Sequence, residues 1–264
     1  MIRDALGQEF VAPLTDAKIV SLVPSTTETL YALGLENQLL GMTRYCVHPR
    51  HLLAEKTIVG GTKQLNWKKL ESLAPTIVLG NKEENTPAIF AGLSQKDIPY
   101  FVAFPQTVDE AIQDIQTLGD LLGASDQSLK IAKGIEAERQ SLHLKSTTFS
   151  YAYLIWRKPW MTINKDTFIH AMLSEAGGKN VFEDDDSRYP QFDLDELKAR
   201  RPDFIFLSSE PYAFNQTHID ELHHHGFQQK IRLVNGEMCS WHGSRMKQGL
   251  EYLQELIALM DCSK

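Results

Sequence analysis

The chain has no apolar run near the ~18 residues that a membrane span requires. Its first ten residues, Met1 to Phe10, are interrupted by Asp4 and Glu9 and hold no apolar core of the kind a secretory leader carries. Cysteine is scarce: Cys46, Cys239 and Cys262 are odd in number and far apart, and no Cys-x-x-Cys pair occurs, so neither a zinc knuckle nor a disulfide framework is indicated. Basic residues are outnumbered, 27 against 34 acidic, and the net charge of −7 argues against a nucleic-acid-binding surface. There is no Gly-x-Ser-x-Gly elbow, no phosphate-binding glycine-rich loop and no His-Glu-x-x-His pair. Ser208-Ser209-Glu210 could hold a nucleophile, but no base can be assigned to it. No catalytic residue and no protein-held metal site is therefore assigned. The sequence as it stands reads as cytoplasmic; a periplasmic or cell-surface location is the alternative if a leader was removed.

What is present is a long-range repeat. Residues 66–79 run Asn66-Trp-Lys-Lys-Leu70, then Pro75, then Ile77-Val-Leu79; residues 193–206 run Asp193-Leu-Asp-Glu-Leu197, then Pro202, then Phe204-Ile-Phe206. Each reads as a helix cap, two helical turns, a proline stop and a buried strand. A repeat so widely spaced implies two similar lobes rather than a solenoid, whose repeats recur every 20–50 residues. Two lobes make a cleft, a favoured place for a small ligand. A chain of 264 residues is long enough for two such domains, each with its own core.

The spacing of apolar residues predicts strands at 18–23, 39–42, 76–79, 100–103, 151–155, 204–207 and 231–234. It predicts helices from Ser25 to Leu33, from Asn66, over 87–93, 107–122, 168–175 and 217–224, from Asp193, and over 246–260. Ser25 and Glu28 have capping-box spacing, with Gly34 as the terminator. The stretch from Ser125 to about His143 is helical but polar on most of its circumference, which suits a bridge between domains. The expected organisation is an N-terminal α/β lobe (1–124), a connecting helix (125–145) and a C-terminal α/β lobe (146–264). The fold class is α/β, two Rossmann-like lobes with largely parallel sheets joined by a single long interdomain helix.

In such sheets ligands sit beyond the carboxyl ends of the strands. The residues there are rich in aromatics and arginines: Arg44 and Tyr45; Trp156, Arg157 and Trp160; Tyr212; Trp241 and Arg245; and the triplet Thr43-Arg44-Tyr45 has an echo in Ser187-Arg188-Tyr189. Aromatic faces suit a flat, apolar ligand, and guanidinium forks suit carboxylates or phosphates at its edge. The alternatives are that the tryptophans pack in a core and that the Arg-Tyr pairs sit on surface turns. The capped helix start at Ser25–Thr27 offers backbone N–H groups to an anion, or else only to its own cap. His48 and His242 are candidate axial ligands to a bound metal, with an ordinary hydrogen-bonded histidine as the other reading. His223, His224 and His225 point in three directions on a helix and read as exposed cap residues.

Several segments, in order, resemble the helical-backbone metal receptors, the substrate-binding class of cobalamin, haem and iron-siderophore ABC importers. They are Ile19 to Glu28, Val59-Gly-Gly61, the Leu70 to Val78 repeat, Gly177 to Phe182, and the Leu197 to Ile205 repeat. Asn81 to Asn85, Tyr153 to Trp160, Ser208 to Tyr212 and Trp241 to Arg245 are similar to a leaderless, cobalamin-binding-like branch of that class. The resemblance implies non-catalytic binding of a metal chelate in the interlobe cleft: cobalamin or another corrinoid first, haem or a ferric siderophore next. No cofactor is required. It also implies an ABC permease as partner, with a docking acid on each lobe; these fall at Lys68 and Asp195, and the lysine departs from the pattern. An enzyme using the same cleft, chelatase-like or hydrolase, is the alternative, and a protein-interaction module is a third.

Overall fold

The structure is a computed structural model and describes residues 1–144 and 148–261. Asn66 and Asp193 cap their helices in the same way. The Lys69 N–H donates to Asn66 Oδ1 at 3.1 Å, and the Glu196 N–H to Asp193 Oδ1 at 2.8 Å. Each bond satisfies one of the four N–H groups that a helix start leaves open. The helices, Trp67–Ser72 and Leu194–Arg200, bury Leu70 and Leu197. Each segment then turns through a non-glycine residue of positive φ, Ala74 (44°) or Arg201 (49°), directly before Pro75 or Pro202. Proline lacks the N–H a further helical turn would use. The strands that follow, Ile77–Asn81 and Phe204–Ser208, are buried along their whole length.

The chain forms two compact units. The first comprises Met1–Pro105, Asp109–Ile135 and His242–Arg245; the second comprises Gln106–Val108, Glu136–Trp241 and the residues from Met246 onward. The helix Ser125–His143, 19 residues and roughly 28 Å long at ~1.5 Å per residue, begins in the first and ends in the second. The lobe boundary expected at 145/146 lies outside the described residues, as does Cys262.

The first unit is built on a five-stranded parallel sheet. Its strands lie in the order Thr57–Ile58, Leu39–Met42, Ile19–Ser21, Ile77–Asn81, Tyr100–Ala103. Successive side chains of a strand face opposite ways. Ile19, Ile77, Leu79 and Phe101 therefore enter one core, and Val20, Val78 and Val102 enter another on the opposite face. Burial on both faces is what a parallel sheet requires, and it explains why these strands read as continuous apolar runs. Gly119 lets two helices meet closely: a Cβ there would lie 2.2 Å from Ser128 Oγ. An N-terminal hairpin, Ile2–Arg3 with Glu9–Phe10, has no counterpart in the sequence reading. The Asp4 carboxylate accepts the N–H groups of Leu6, Gln8 and Val102, and the Ala5 N–H donates to Val102 O. The hairpin thereby covers an edge strand that would otherwise invite pairing.

The second unit repeats the plan with four parallel strands in the order Gly178–Asn180, Phe149–Leu154, Phe204–Ser208, Lys230–Val234. Ala152, Leu154, Ile205 and Leu207 pack with Phe182 and Leu197 on one face. Phe149, Tyr151, Phe204 and Phe206 form a ring cluster among themselves. Among the described residues no helix is long and apolar enough to cross a membrane.

One local expectation fails. The capping box from Ser25 to Glu28 does not form. The helix is Pro24–Ala32, its cap position is Val23, and no side chain caps it. Proline at the first helical position has its φ already set and its missing N–H costs nothing there. The helix therefore starts at Pro24 and Ser25 lies inside it. The terminator is as expected: Gly34 has φ 77°.

Candidate functional site

In the second unit the strand Phe149–Leu154 delivers the chain into the segment Ile155–Trp160. Two backbone bonds, Ile155 N–H to Met161 O and Met161 N–H to Trp156 O, fold that segment back on itself. Trp156, 40 % exposed, meets Tyr212 edge-on with centroids 5.6 Å apart. Tyr212 packs against Phe214 at 4.7 Å, and Trp160 stacks parallel to Phe214 at 6.1 Å. His218 closes the group. Its Nδ1 accepts the Asn215 N–H, which leaves Nε2 to donate to the Tyr212 hydroxyl at 3.1 Å. The structure thus brings Trp156, Arg157, Trp160 and Tyr212 together, and adds Phe214 and His218, which the sequence reading did not single out.

Arg157 is in this group but is not a free cation. Its guanidinium lies over the Trp160 ring at 5.2 Å and forks onto the Glu221 carboxylate, with Nε 2.8 Å from Oε2 and Nη2 bonded to Oε1. The bond to Glu221 holds the arginine pKa above its ordinary value, and the same bond holds the Glu221 carboxyl below its own. Arg188 and Tyr189 are each half-buried and contact one another, guanidinium to ring centroid 5.9 Å.

Beyond the strand Phe204–Ser208, the Glu210 carboxylate accepts the Trp241 indole N–H at 2.9 Å and the Ser240 hydroxyl at 2.8 Å. Glu210 can lie there because residue 236 is glycine: a Cβ at Gly236 would stand 2.4 Å from Glu210 Cγ. A pocket of ≈ 490 Å³ opens at this end of the sheet, lined by Ser209, Glu210, Leu233, Val234, Asn235 and Glu237. Ser208 is turned inward. Its hydroxyl donates to Glu210 O at 2.6 Å and lies 3.0 Å from Tyr153 Oη, a hydrogen-bonding role rather than that of a nucleophile.

In the first unit Arg44 and Tyr45 follow the strand Leu39–Met42 and are both exposed, Tyr45 by 55 %. The turn that presents them is anchored from beneath. Cys46 Sγ lies 3.1 Å from Thr27 Oγ1 and 3.2 Å from Thr43 Oγ1, while Arg44 N–H donates to Gly60 O. Burial raises the Cys46 thiol pKa, so this cysteine is an uncharged anchor. His48, three residues beyond Tyr45, is half-buried.

His242 and Arg245 stand differently from the other candidates. Both are buried in the first unit. Arg245 makes a two-pronged ion pair with Glu28, Nε to Oε2 2.6 Å and Nη2 to Oε1 2.9 Å. His242 Nε2 lies 3.3 Å from both Ser25 Oγ and Asn81 Nδ2. Burial pushes its pKa down to about 4, so it is neutral near pH 7. The Asn81 amide can only donate to Nε2, so that nitrogen's lone pair is already engaged and is not offered to a metal. Gly243, at φ 85°, packs on Thr29, whose Oγ1 would be 2.2 Å from a Cβ, and Ser244 N–H donates to that same oxygen at 3.0 Å. The partners Glu28 and Glu221 lie 217 and 64 positions from their arginines, distances at which no sequence signal pairs them. Among the described residues no three His, Cys, Asp or Glu side chains are grouped to hold a metal ion. His223, His224 and His225 are exposed.

A profile of the periplasmic binding proteins matches residues 19–232. A vitamin B12-binding protein of Vibrio cholerae is 26 % identical over 204 residues, 76 % of this chain and 74 % of that one. An uncharacterized ABC transporter substrate-binding lipoprotein of Bacillus subtilis is 26 % identical over 272 residues, 97 % of this chain and 84 % of the relative. Among solved structures, the periplasmic vitamin B12 binding protein of Vibrio cholerae superposes with a TM-score of 0.78 at 22 % identity, covering 93 % of this chain and 98 % of that one. A periplasmic heme-binding protein from Roseiflexus superposes with a TM-score of 0.79 at 22 % identity, covering 94 % and 99 %. The two superpositions establish a shared fold.

Proposed function

The chain belongs to the periplasmic binding protein family, and from that premise we propose that it binds a metal chelate non-covalently and leaves it chemically unchanged. Cobalamin or a related corrinoid is the first choice, since the relatives named above include vitamin B12-binding proteins. Haem is next, from the heme-binding structural neighbour, and a ferric siderophore after it. The observation that carries the reading is the aromatic group of Trp156, Trp160, Tyr212 and Phe214 beyond the carboxyl ends of the second unit's parallel strands. In the first unit the exposed pair Arg44 and Tyr45 has the equivalent position. Rings supply flat contact area, and the exposed Arg44 supplies charge for an acidic periphery. Arg157 contributes mainly as a platform for Trp160, its charge being met by Glu221.

A permease is the matching partner for a substrate-binding protein of this kind. On the second unit Asp195 stands 96 % exposed at the second position of its helix. On the first, the matching position carries exposed Lys68. We propose that any docking of the family's acid-based kind uses Asp195 alone. Titration with cobalamin and with haem, followed by tryptophan fluorescence, tests the ligand reading. Saturable quenching at micromolar chelate is expected, reduced in Trp156→Ala; no quenching by either chelate counts against it.

A further inference from the structure

The helix Pro24–Ala32 begins without a cap of its own. Val23 offers no side-chain acceptor and Pro24 has no N–H. The first backbone donors are the N–H groups of Ser25 and Thr26. Neither has a partner among the described residues, whereas the Thr27 N–H is met by Val23 O at 3.0 Å. The side chains spaced to form a capping box are engaged elsewhere, Ser25 on His242 and Glu28 on Arg245. Thr26 Oγ1 is a third unmet group: the residue is 4 % exposed and the oxygen has no partner. Thr27 and Thr29 turn their hydroxyls back onto backbone carbonyls, at Val23 O and Ser25 O; Thr26 does not. Side chains of a helix lean toward its N-terminus, so a hydroxyl at the third position sits at the same end as the two open N–H groups.

Asn81 is held at this place. Its Oδ1 accepts the N–H groups of Glu83 (2.7 Å) and Glu84 (3.4 Å), which fixes the amide orientation and turns Nδ2 toward His242 Nε2. All of these residues belong to the first unit. A helix start concentrates partial positive charge, and buried polar groups left unmet are destabilising. Three unmet groups at one helix start call for an acceptor that carries negative charge.

We propose that the start of the Pro24–Ala32 helix is an oxyanion subsite. It takes a carboxylate or phosphate-ester oxygen from the periphery of the bound chelate, through Ser25 N–H, Thr26 N–H and the Thr26 hydroxyl, with Asn81 Nδ2 beside them. The proposal rests on the ligand-binding reading above and adds a chemical class to it: the ligand carries an anionic substituent, and the protein meets it with backbone donors as well as with arginine.

Backbone amide NMR of the full chain, titrated separately with inorganic phosphate and with acetate, reads this subsite with no chelate present. The Ser25 and Thr26 amide protons are expected to shift saturably with one or both anions, and the more effective anion identifies the substituent. Thr26→Val, which keeps the shape and removes the hydroxyl, is expected to weaken that binding about tenfold and to raise the melting temperature of the ligand-free protein. Amide shifts that do not saturate with either anion, or that Thr26→Val leaves unchanged, overturn the subsite. Haem and its dimethyl ester then test the chelate itself: the ester is expected to bind more weakly to the wild type, with the difference lost in Thr26→Val. If the small anions saturate these amides while no chelate binds, the subsite stands and the ligand reading falls. If a chelate binds while both amides stay silent to phosphate and acetate, the ligand reading stands and the subsite falls.

Discussion

Replacing Glu28 by alanine should cost the first unit far more than an ordinary ion pair would. The Arg245 side chain is 7 % exposed and that of Glu28 17 %, and the two meet through paired N–H···O contacts. Removing one partner of a buried pair strands the other charge and costs about 3–5 kcal/mol. The small exposure of Glu28 lets some water in, so the lower end, about 3 kcal/mol, is expected. For a protein of this size each kcal/mol moves the melting temperature by about 2–4 °C, so Glu28→Ala should lower it by roughly 6–12 °C. Arg245→Met should cost a similar amount. The double variant Glu28→Met with Arg245→Met should recover a large part of the loss, because no charge is then stranded. Urea unfolding followed by circular dichroism, with unchanged denaturant slopes as the check on cooperativity, gives the coupling energy directly. A cost below about 1 kcal/mol, the range of exposed pairs, would show that Glu28 and Arg245 do not behave as a buried pair. Lost chelate affinity with intact stability would instead return Arg245 to the ligand.

His242 has its pKa pushed down to about 4 by burial. The unfolded chain therefore takes up a proton near pH 6.5 that the folded one refuses, and stability should fall as pH drops from about 6.5 to about 4, then level off. At ~1.36 kcal/mol per pKa unit the loss is about 3 kcal/mol, and it should be absent in His242→Gln when unfolding is measured across that range. The depressed Glu221 carboxyl acts at lower pH: its contribution is complete above about 4.5, is lost on further acidification, and should disappear in Glu221→Gln. A Cβ at Gly61 would lie 3.1 Å from Tyr45 Cε2; Gly61→Ala should leave stability within about 1 kcal/mol but weaken chelate binding in a fluorescence titration by displacing the Tyr45 ring. Asn66→Ala and Asp193→Ala should each cost about 1 kcal/mol in thermal unfolding, and a large inequality between them would argue against equivalent caps.

Much of this architecture was legible because it is locally determined. The Asn66 and Asp193 caps, the prolines that end both helices and the two strands that follow are all governed by residues within a few positions of one another. The two α/β units follow from that repeat. The Ser25 capping box misled because two local rules competed, and proline's preference for the first helical position outweighed the hydroxyl's preference for the cap. The hairpin at Ile2–Phe10 was missed because its strands are two residues long and its stability comes from Asp4 bonding to Val102, far along the chain. The candidate site was legible as a set of residue types beyond strand ends. What was not legible was which charges were already met. Arg245 is neutralised by Glu28 and Arg157 by Glu221, and only folding brings those partners together. The Trp241 indole N–H is likewise met by Glu210, 31 positions away.

Equilibrium dialysis of the wild-type protein against cobalamin and against haem, with bound chelate quantified by absorbance, tests chelate binding itself. One chelate retained per chain is expected at micromolar free concentration for at least one of the two, with retention sharply reduced when Trp156 and Tyr212 are both replaced by alanine. Equal concentrations of each chelate on both sides of the membrane would contradict chelate binding.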